Sequence, residues 1–440
     1  MIIMLSVAII FLFFSGIAFL GFLINAFFYK TKISSILPLM AIGVVVGPVL
    51  QLVNTTPGSF AAAITPYISA VAVAFVLFDV GINIRIDKLT RVFAKATEFA
   101  FLTAAMTAIV LAIMAYLLFG WSLLESFIFG FAVCGPSVVI VPTLLNLIKV
   151  NPELKVSLLY ESVLTDVLQL AVPLILVGFI INPVAGGVGL AAYVFTTIFG
   201  SIFLGVLSAF FWLYVMKRYS QQSASYSWML TMAMVIATYG LASAMNISGV
   251  IAVFAFGLSF SNIGGSKNVK EKKDFLSHFT FESDMQIRHI RNYQREIVFF
   301  ASTFFFVYIG MLFNLSGVDL DLLFALGFMV ALIATIRYFM SGRLGVYFSK
   351  DNPMREVEHR TVYYNVARGL APAIVATVPL SLGISIPYFL DSIFIIILLT
   401  NVVSTIGFAY SYRGVNLKTV KVSRRKKREW ERKLGLDYID

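Results

Sequence analysis

The sequence predicts an all-α polytopic membrane protein with about thirteen transmembrane helices. Its 440 residues are 60% hydrophobic and only 12% charged, whereas soluble domains carry about 25% charged residues. Apolar runs long enough to cross about 30 Å of hydrocarbon recur along the chain. Lysine and arginine are concentrated in alternate connections between these runs. Because the basic residues are placed in this way, the net charge of +11 indicates contact with membrane lipids and not with nucleic acid.

The apolar runs justify the helices in order. The first has no basic segment before it and is long enough to span, so we expect a transmembrane helix and not a cleaved signal peptide. The ninth is short, and we expect it to be tilted or partly buried. From first to last, the predicted spans are residues 3–28, 34–52, 60–82, 96–119, 122–148, 157–182, 187–216, 226–245, 248–262, 296–314, 320–341, 359–380 and 388–411.

The connections between the spans predict the topology. Basic residues follow the odd-numbered spans, as Lys30 and Lys32 follow the first. The even-numbered connections at residues 51–59, 182–187 and 379–387 contain no lysine or arginine. Positively charged loops stay in the cytoplasm. We therefore expect a multi-pass protein of the cell membrane, with its N-terminus outside and its C-terminus in the cytoplasm.

The chain reads as one membrane domain with two polar segments. The membrane domain covers residues 1–412 and includes a cytoplasmic connector at 263–295. A basic tail covers residues 413–440, with five consecutive cations at Arg424–Arg428. Such a cluster is attracted to anionic lipid by about 1 kcal/mol per residue, although it can also serve only to anchor the topology. The single cysteine, Cys134, excludes an intrachain disulfide.

Two spans contain helix-breaking residues at mid-depth. The fifth holds Cys134-Gly135-Pro136-Ser137, and the twelfth holds Arg368-Gly369-Leu370-Ala371-Pro372. If the seventh span is a linker, spans one to six and eight to thirteen form two six-helix repeats of opposite orientation. The broken spans then occupy equivalent positions. Paired broken helices in inverted repeats indicate a crossing and an ion site near the bilayer midplane.

Two acids lie inside the apolar sixth span. A charged side chain at the bilayer centre costs about 2.5–3.5 kcal/mol on insertion scales, so Glu161 and Asp166 predict a site visited by a cation or proton. Ser162 and Asp166 are four residues apart and share one helix face. Glu161 points about 140° away from Asp166 and needs a positive partner, for which Arg368 is the candidate. Arg337 is expected at the inner end of the eleventh span, with its side chain reaching the lipid phosphates.

Several motifs now point to a family. Glu161-Ser162-Val163-Leu164-Thr165-Asp166 resembles the Glu-Ser-x-x-Asn-Asp signature of sodium/proton exchangers, in the archaeal NhaP-like branch of the monovalent cation:proton antiporter superfamily. The segments at 77–81, 248–262, 304–311 and 368–373 are similar to further motifs of that superfamily in the same order. The resemblance covers the whole membrane region.

The resemblance implies a secondary active antiporter that exchanges a monovalent cation for protons, with Na⁺ favoured over K⁺, and a homodimer. Asp166 is then the cation ligand and the proton acceptor. Ser162, Thr165 and main-chain carbonyls freed at the break beginning with Cys134 supply further oxygens, which such cations prefer. The Glu161–Arg368 pair is expected to fix the unwound helix and not to carry the ion.

The chain departs from the family pattern at two places. Relatives carry Thr-Asp-Pro where this chain has Cys134-Gly135-Pro136, and Thr165 replaces the usual asparagine. Asp79 restores a negative charge if it lines the cavity, but it can equally lie near the inner end of the third span. The identity of the cation and the stoichiometry stay open.

The sequence carries no signature of an enzyme. Nothing in the sequence resembles a metal-binding cluster, a phosphate-binding loop or a nucleophile with its base, so neither an enzyme nor a cofactor is expected. A cation channel or sensor on the same scaffold, and a carrier of a different solute, remain the alternatives.

Overall fold

The computed structural model describes most of the membrane region. The basic tail from residue 414 onward, most of the predicted connector and the start of the first predicted span lie outside the described residues. The structure describes residues 15–24, 26–27, 34–51, 60–84, 91–138, 140–146, 150–181, 187–218, 227–264, 285–346 and 356–413.

The described residues form fifteen α-helices and no strand, which confirms the predicted fold class. In chain order the helices are α1 (Ser15–Ile24), α2 (Ile36–Val44), α3 (Phe60–Asn83), α4 (Arg91–Phe119), α5 (Leu123–Ala132), α6 (Ile140–Asn146), α7 (Pro152–Ile181), α8 (Gly187–Arg218), α9 (Ser227–Ala244), α10 (Gly249–Gly264), α11 (Met285–Leu312), α12 (Leu320–Val346), α13 (Glu356–Tyr364), α14 (Leu370–Ser381) and α15 (Phe389–Arg413). A π-helical turn, Val45–Val49, extends α2.

The helices match the predicted spans. Seven are long and apolar enough to cross a membrane, namely α4, α7, α8, α9, α11, α12 and α15, and six shorter apolar helices occupy the remaining predicted spans. The fifth and twelfth spans are each divided into two helices, as their glycine and proline content predicts. The ninth span is short, as expected, because α10 has only 16 residues.

The helices pack as two bundles. The first bundle contains α1–α3 and α8–α11, and the second contains α4–α7 and α12–α15. Each bundle therefore takes equivalent helices from both repeats, and α8 is the linker. The bundles meet mainly where α3 packs against α14, and there the hydroxyls of Ser69 and Thr377 are 2.9 Å apart.

Glycines allow two close helix crossings in the first bundle. Gly43 of α2 lies against Gly310 of α11, and Gly81 of α3 lies against Gly257 of α10; a Cβ atom at any of these positions would overlap backbone atoms. Small residues permit such approach between membrane helices. A symmetry that exchanges the two repeats converts one crossing into the other. The close packing of this bundle is thus built into both repeats.

Candidate functional site

The two interrupted spans cross and are bonded to each other. The first is non-helical from Val133 to Val138 and the second from Asn365 to Gly369. The backbone N–H of Ser137 donates to the carbonyl of Ala367 at 2.9 Å. The predicted crossing is therefore present, and backbone groups released by one break are satisfied by the other.

The break residues have different roles from one another. Gly135 and Pro136 lie in the first non-helical segment, and a Cβ atom at Gly135 would overlap the side chain of Thr165. A Cβ atom at Gly369 would likewise overlap Ser137. The prediction that Pro372 breaks the second span is wrong. It lies in the first turn of α14, where a missing N–H removes no intrahelical hydrogen bond.

Asp166 lies on α7 beside the first break. It is only 3% exposed, and its Oδ2 accepts the backbone N–H of Val138 at 3.3 Å. Its Oδ1 accepts the amide N–H of Gln169, also at 3.3 Å. Among the described residues no cation forms a salt bridge with it. The carboxylate is therefore enclosed, held by neutral donors and left without a bonded counter-ion.

Two hydroxyls share this part of α7. Ser162 is fully buried and donates to the Leu159 carbonyl at 2.8 Å, which leaves its oxygen lone pairs available as acceptors. The Thr165 hydroxyl lies 2.9 Å from the Glu161 carbonyl oxygen and 3.4 Å from that of Pro136. The Thr165 hydroxyl thus reaches the first break, and the Ser162 hydroxyl is buried one turn before Asp166 on α7. Their binding of a cation stays a prediction.

Cys134 lies in the first break and packs against α4. Its side chain is buried in a small apolar cluster with Ala104 and Ala108 of α4. This contact anchors the first break on its far side. The thiol itself packs as an apolar group, and whether the Cys134 backbone contributes to ion binding stays a prediction.

The predicted ion pair between Glu161 and Arg368 is wrong. Glu161 is fully buried and forms its salt bridge with Arg337 of α12. Arg368 instead donates from Nε to the Val133 carbonyl at 2.8 Å and from Nη1 to the Val366 carbonyl at 3.1 Å. Arg368 therefore ties the two breaks together through backbone oxygens, although its charge acts on both acids at the crossing.

The expected position of Arg337 at a membrane surface is also wrong. Its side chain is 1% exposed, its Nε donates to the Val362 carbonyl at 3.1 Å, and its guanidinium lies 5.7 Å from the Phe99 ring centroid. Helix α12 continues to Val346, five residues beyond the predicted span. Arg337 is about 13 Å from the helix end, and its guanidinium is turned into the protein against Glu161 and Phe99 instead of outward to lipid.

Asp79 lies near the end of α3 and belongs to a different polar cluster. Asn83 donates to its carboxylate at 3.1 Å, and the charges of Arg295 and Arg291 on α11 act on it. Among the described residues no hydrogen bond or salt bridge joins it to α7. The geometry favours the second of the two expectations for this residue, a place near the helix end and away from the crossing.

Gln169 is the site residue that the sequence reading missed. Its side chain is fully buried and contacts Asp166 directly. The signal was present, because a polar residue three positions after a buried acid shares its helix face. Arg337 gave a weaker signal, since nothing in the sequence brings its side chain on α12 to Glu161 on α7.

Two inverted repeats, crossed interrupted spans and an enclosed carboxylate together define a polytopic membrane protein of the secondary-transporter class. The comparison with protein families is specific. The model described as "Sodium/hydrogen exchanger, transmembrane" matches residues 4–410, and the chain therefore belongs to the sodium/hydrogen exchanger family. The resemblance seen in the motifs is confirmed.

Individual relatives are distant. The curated protein "Sodium/hydrogen exchanger 1" of Dictyostelium discoideum is 28% identical over 194 residues, which are 43% of this chain and 26% of that protein. A structure of the sodium proton antiporter MjNhaP1 from Methanocaldococcus jannaschii at pH 8 matches with a TM-score of 0.69 and 20% identity, covering 92% of this chain and all of that one. An electron-microscopy structure of the same antiporter gives 0.69 and 17%, covering 95% and 99%. These likenesses show the fold.

Proposed function

We propose that this protein is a secondary active antiporter that exchanges sodium ions for protons at Asp166. The observation that carries the proposal is an enclosed carboxylate without a salt bridge, placed where two broken helices cross. A buried acid of this kind needs a positive occupant. Membership of the sodium/hydrogen exchanger family supports sodium and protons as the two occupants.

Exchange follows from competition for one carboxylate. A proton neutralises Asp166 covalently, and a sodium ion neutralises it by coordination. The oxygens of Ser162 and Thr165 on the same helix would complete the ligand set, since sodium binds hard oxygens. If the conformational change is forbidden while the carboxylate is charged and empty, the two fluxes are coupled. No second site is required.

The finer features are proposed on sequence grounds. Sodium is favoured over potassium. The protein lies in the cell membrane with its N-terminus outside, and the basic tail at 413–440 rests on anionic lipid at the cytoplasmic surface. Residues 1–412 form the transport domain, and two copies assemble as a homodimer.

Reconstitution into lipid vesicles tests the exchange. An outward sodium gradient should drive protons inward, detected by a pH-sensitive dye trapped in the vesicles, and a potassium gradient should drive less movement. Asp166→Asn should abolish the signal because an amide cannot carry a proton or neutralise a cation. Asp321→Asn, at an exposed position in the first turn of α12, is the matched control and should retain the activity.

The alternatives give different results in the same vesicles. A channel would carry sodium without moving protons and could survive Asp166→Asn. A carrier of another solute would show no response to either gradient. Proton movement that persists in Asp166→Asn would refute the proposed mechanism.

A further inference from the structure

The amide of Gln169 is only half satisfied. Its Nε2 donates to Asp166, but its Oε1 has no hydrogen-bond partner among the described residues. Both atoms are bonded to one carbon, so a half-turn of the amide would bring the oxygen to the place from which the nitrogen now contacts the carboxylate. A buried carbonyl oxygen without a partner is unfavourable by about 1–3 kcal/mol. The side chain therefore holds an unused acceptor within one bond rotation of Asp166.

The chemistry of an amide suits both states of an acid. An ionised carboxylate only accepts hydrogen bonds, and the NH₂ end of Gln169 can donate to it. A protonated carboxyl group has an O–H to donate, and a bound cation requires oxygen ligands. Both later states need the carbonyl end. Rotation about the last side-chain bond exchanges the two ends without moving the helix.

Resting on the proposed function, we infer that Gln169 is a further cation-binding residue of the exchange site. Its amide donates to the empty, ionised Asp166 and turns over to present Oε1 to the sodium ion or the proton that arrives there. Gln169 thereby contributes to sodium affinity.

The ionisable neighbours of this pair are few. Arg368 faces Asp166 from the second break. Glu161 on α7, its partner Arg337 on α12 and the Cys134 thiol of the first break belong to the same electrostatic cluster. Helices α10 and α14 carry no ionisable residue, and those of α4 and α5 lie towards the helix ends, at Arg91, Lys95, Glu98, Tyr116 and Glu125. Substitution of the Gln169 amide by a carboxylate would therefore change the local charge markedly.

A second buried glutamine provides a matched comparison. Gln294 of α11 is equally buried, donates to the Phe75 carbonyl at 2.6 Å, and also has an Oε1 without a partner among the described residues. It lies in the first bundle. Contact with Asp166 is the difference between the two glutamines, so a general effect of removing a buried amide can be separated from an effect on exchange.

The test compares Gln169→Met with Gln294→Met in the vesicle assay with NaCl gradients. Methionine keeps the size of the side chain but offers no amide. Gln169→Met should raise the KM for sodium about tenfold, the worth of one interaction with a charged group, and leave kcat near the wild-type value. Gln294→Met should leave KM unchanged. A sodium KM in Gln169→Met equal to that of the wild type would overturn the inference.

A second variant decides the matter if Gln169→Met fails to fold. Gln169→Glu keeps the shape, and the added carboxylate beside Asp166 should make the pair hold its protons to higher pH. The pH profile of exchange should move to more alkaline values. An unchanged profile would overturn the inference. Failure of the wild type to exchange, or activity in Asp166→Asn, would instead refute the proposed function.

Discussion

At the scale of single residues, the crossing contains two acids and two guanidinium groups in different arrangements. Glu161 and Arg337 form a salt bridge, whereas Asp166 and Arg368 interact only through space. Removing one member of a buried pair leaves an uncompensated charge, which is strongly destabilising. The bridged pair is therefore suited to holding the fold, and the unbridged acid is suited to exchanging its occupant.

Replacement of Arg337 tests this division. Arg337→Met should lower the free energy of unfolding by about 3–5 kcal/mol because Glu161 remains buried without its partner. Arg343→Met on the same helix is the control, because both side chains of its salt bridge with Glu98 are more than half exposed. Loss of that salt bridge should lower the free energy of unfolding by only about 0–1 kcal/mol. Unfolding of the purified protein in denaturant measures both.

Glu161→Gln is the second substitution of a double-mutant cycle with Arg337→Met. Added to Arg337→Met, it removes the stranded charge and should restore a large part of the lost stability. A double variant no more stable than Arg337→Met alone would mean that Arg337 stabilises the protein through its contacts with Val362 and Phe99 and not through the ion pair.

At the scale of elements, the crossing depends on two glycines that have no room for a side chain. Gly135 contacts Thr165, so the two departures from the family pattern touch each other. A larger residue at position 135 would push the first break away from α7, and with it the Val138 N–H that Asp166 accepts. An aspartate introduced here would meet the same obstruction as any other side chain.

Alanine substitutions test the close approach. Gly135→Ala and Gly369→Ala should each lower the melting temperature and reduce the exchange rate at least severalfold, because the added Cβ atom overlaps a neighbour. Gly327→Ala in the interior of α12, where nothing lies within 4 Å of the added atom, should be neutral or slightly stabilising. Melting temperatures and vesicle exchange of the three variants give the comparison. Wild-type behaviour of Gly135→Ala would show that the break can move without consequence.

The sequence predicted the elements well and their side-chain partners poorly. Hydrophobic runs and helix breakers each leave a local signal, and within the described residues they placed the spans and both interruptions. The exception is α11, which begins at Met285, eleven residues before its predicted span and inside the predicted connector. The partner of Glu161 left no such signal. It depends on tertiary packing, which brings the long side chain of Arg337 on α12 to Glu161 on α7.

At the scale of the whole molecule, the glycine crossings and the interrupted spans lie in different bundles. The first bundle is joined by the glycine crossings of α2 with α11 and of α3 with α10, and the second carries the breaks and Asp166. The bundles meet chiefly along α3 and α14, where Ser69 and Thr377 form a hydrogen bond. The enclosed carboxylate of Asp166 lies in the second bundle, on α7 beside the first break.

The most direct measurement is the sodium dependence of exchange at two pH values one unit apart, within the range where protons inhibit. If sodium and protons compete for Asp166, the more acidic pH should raise the KM for sodium by up to about tenfold and leave the maximal rate unchanged. A maximal rate that falls while the KM stays constant would place the inhibiting proton elsewhere and contradict exchange at a single shared carboxylate.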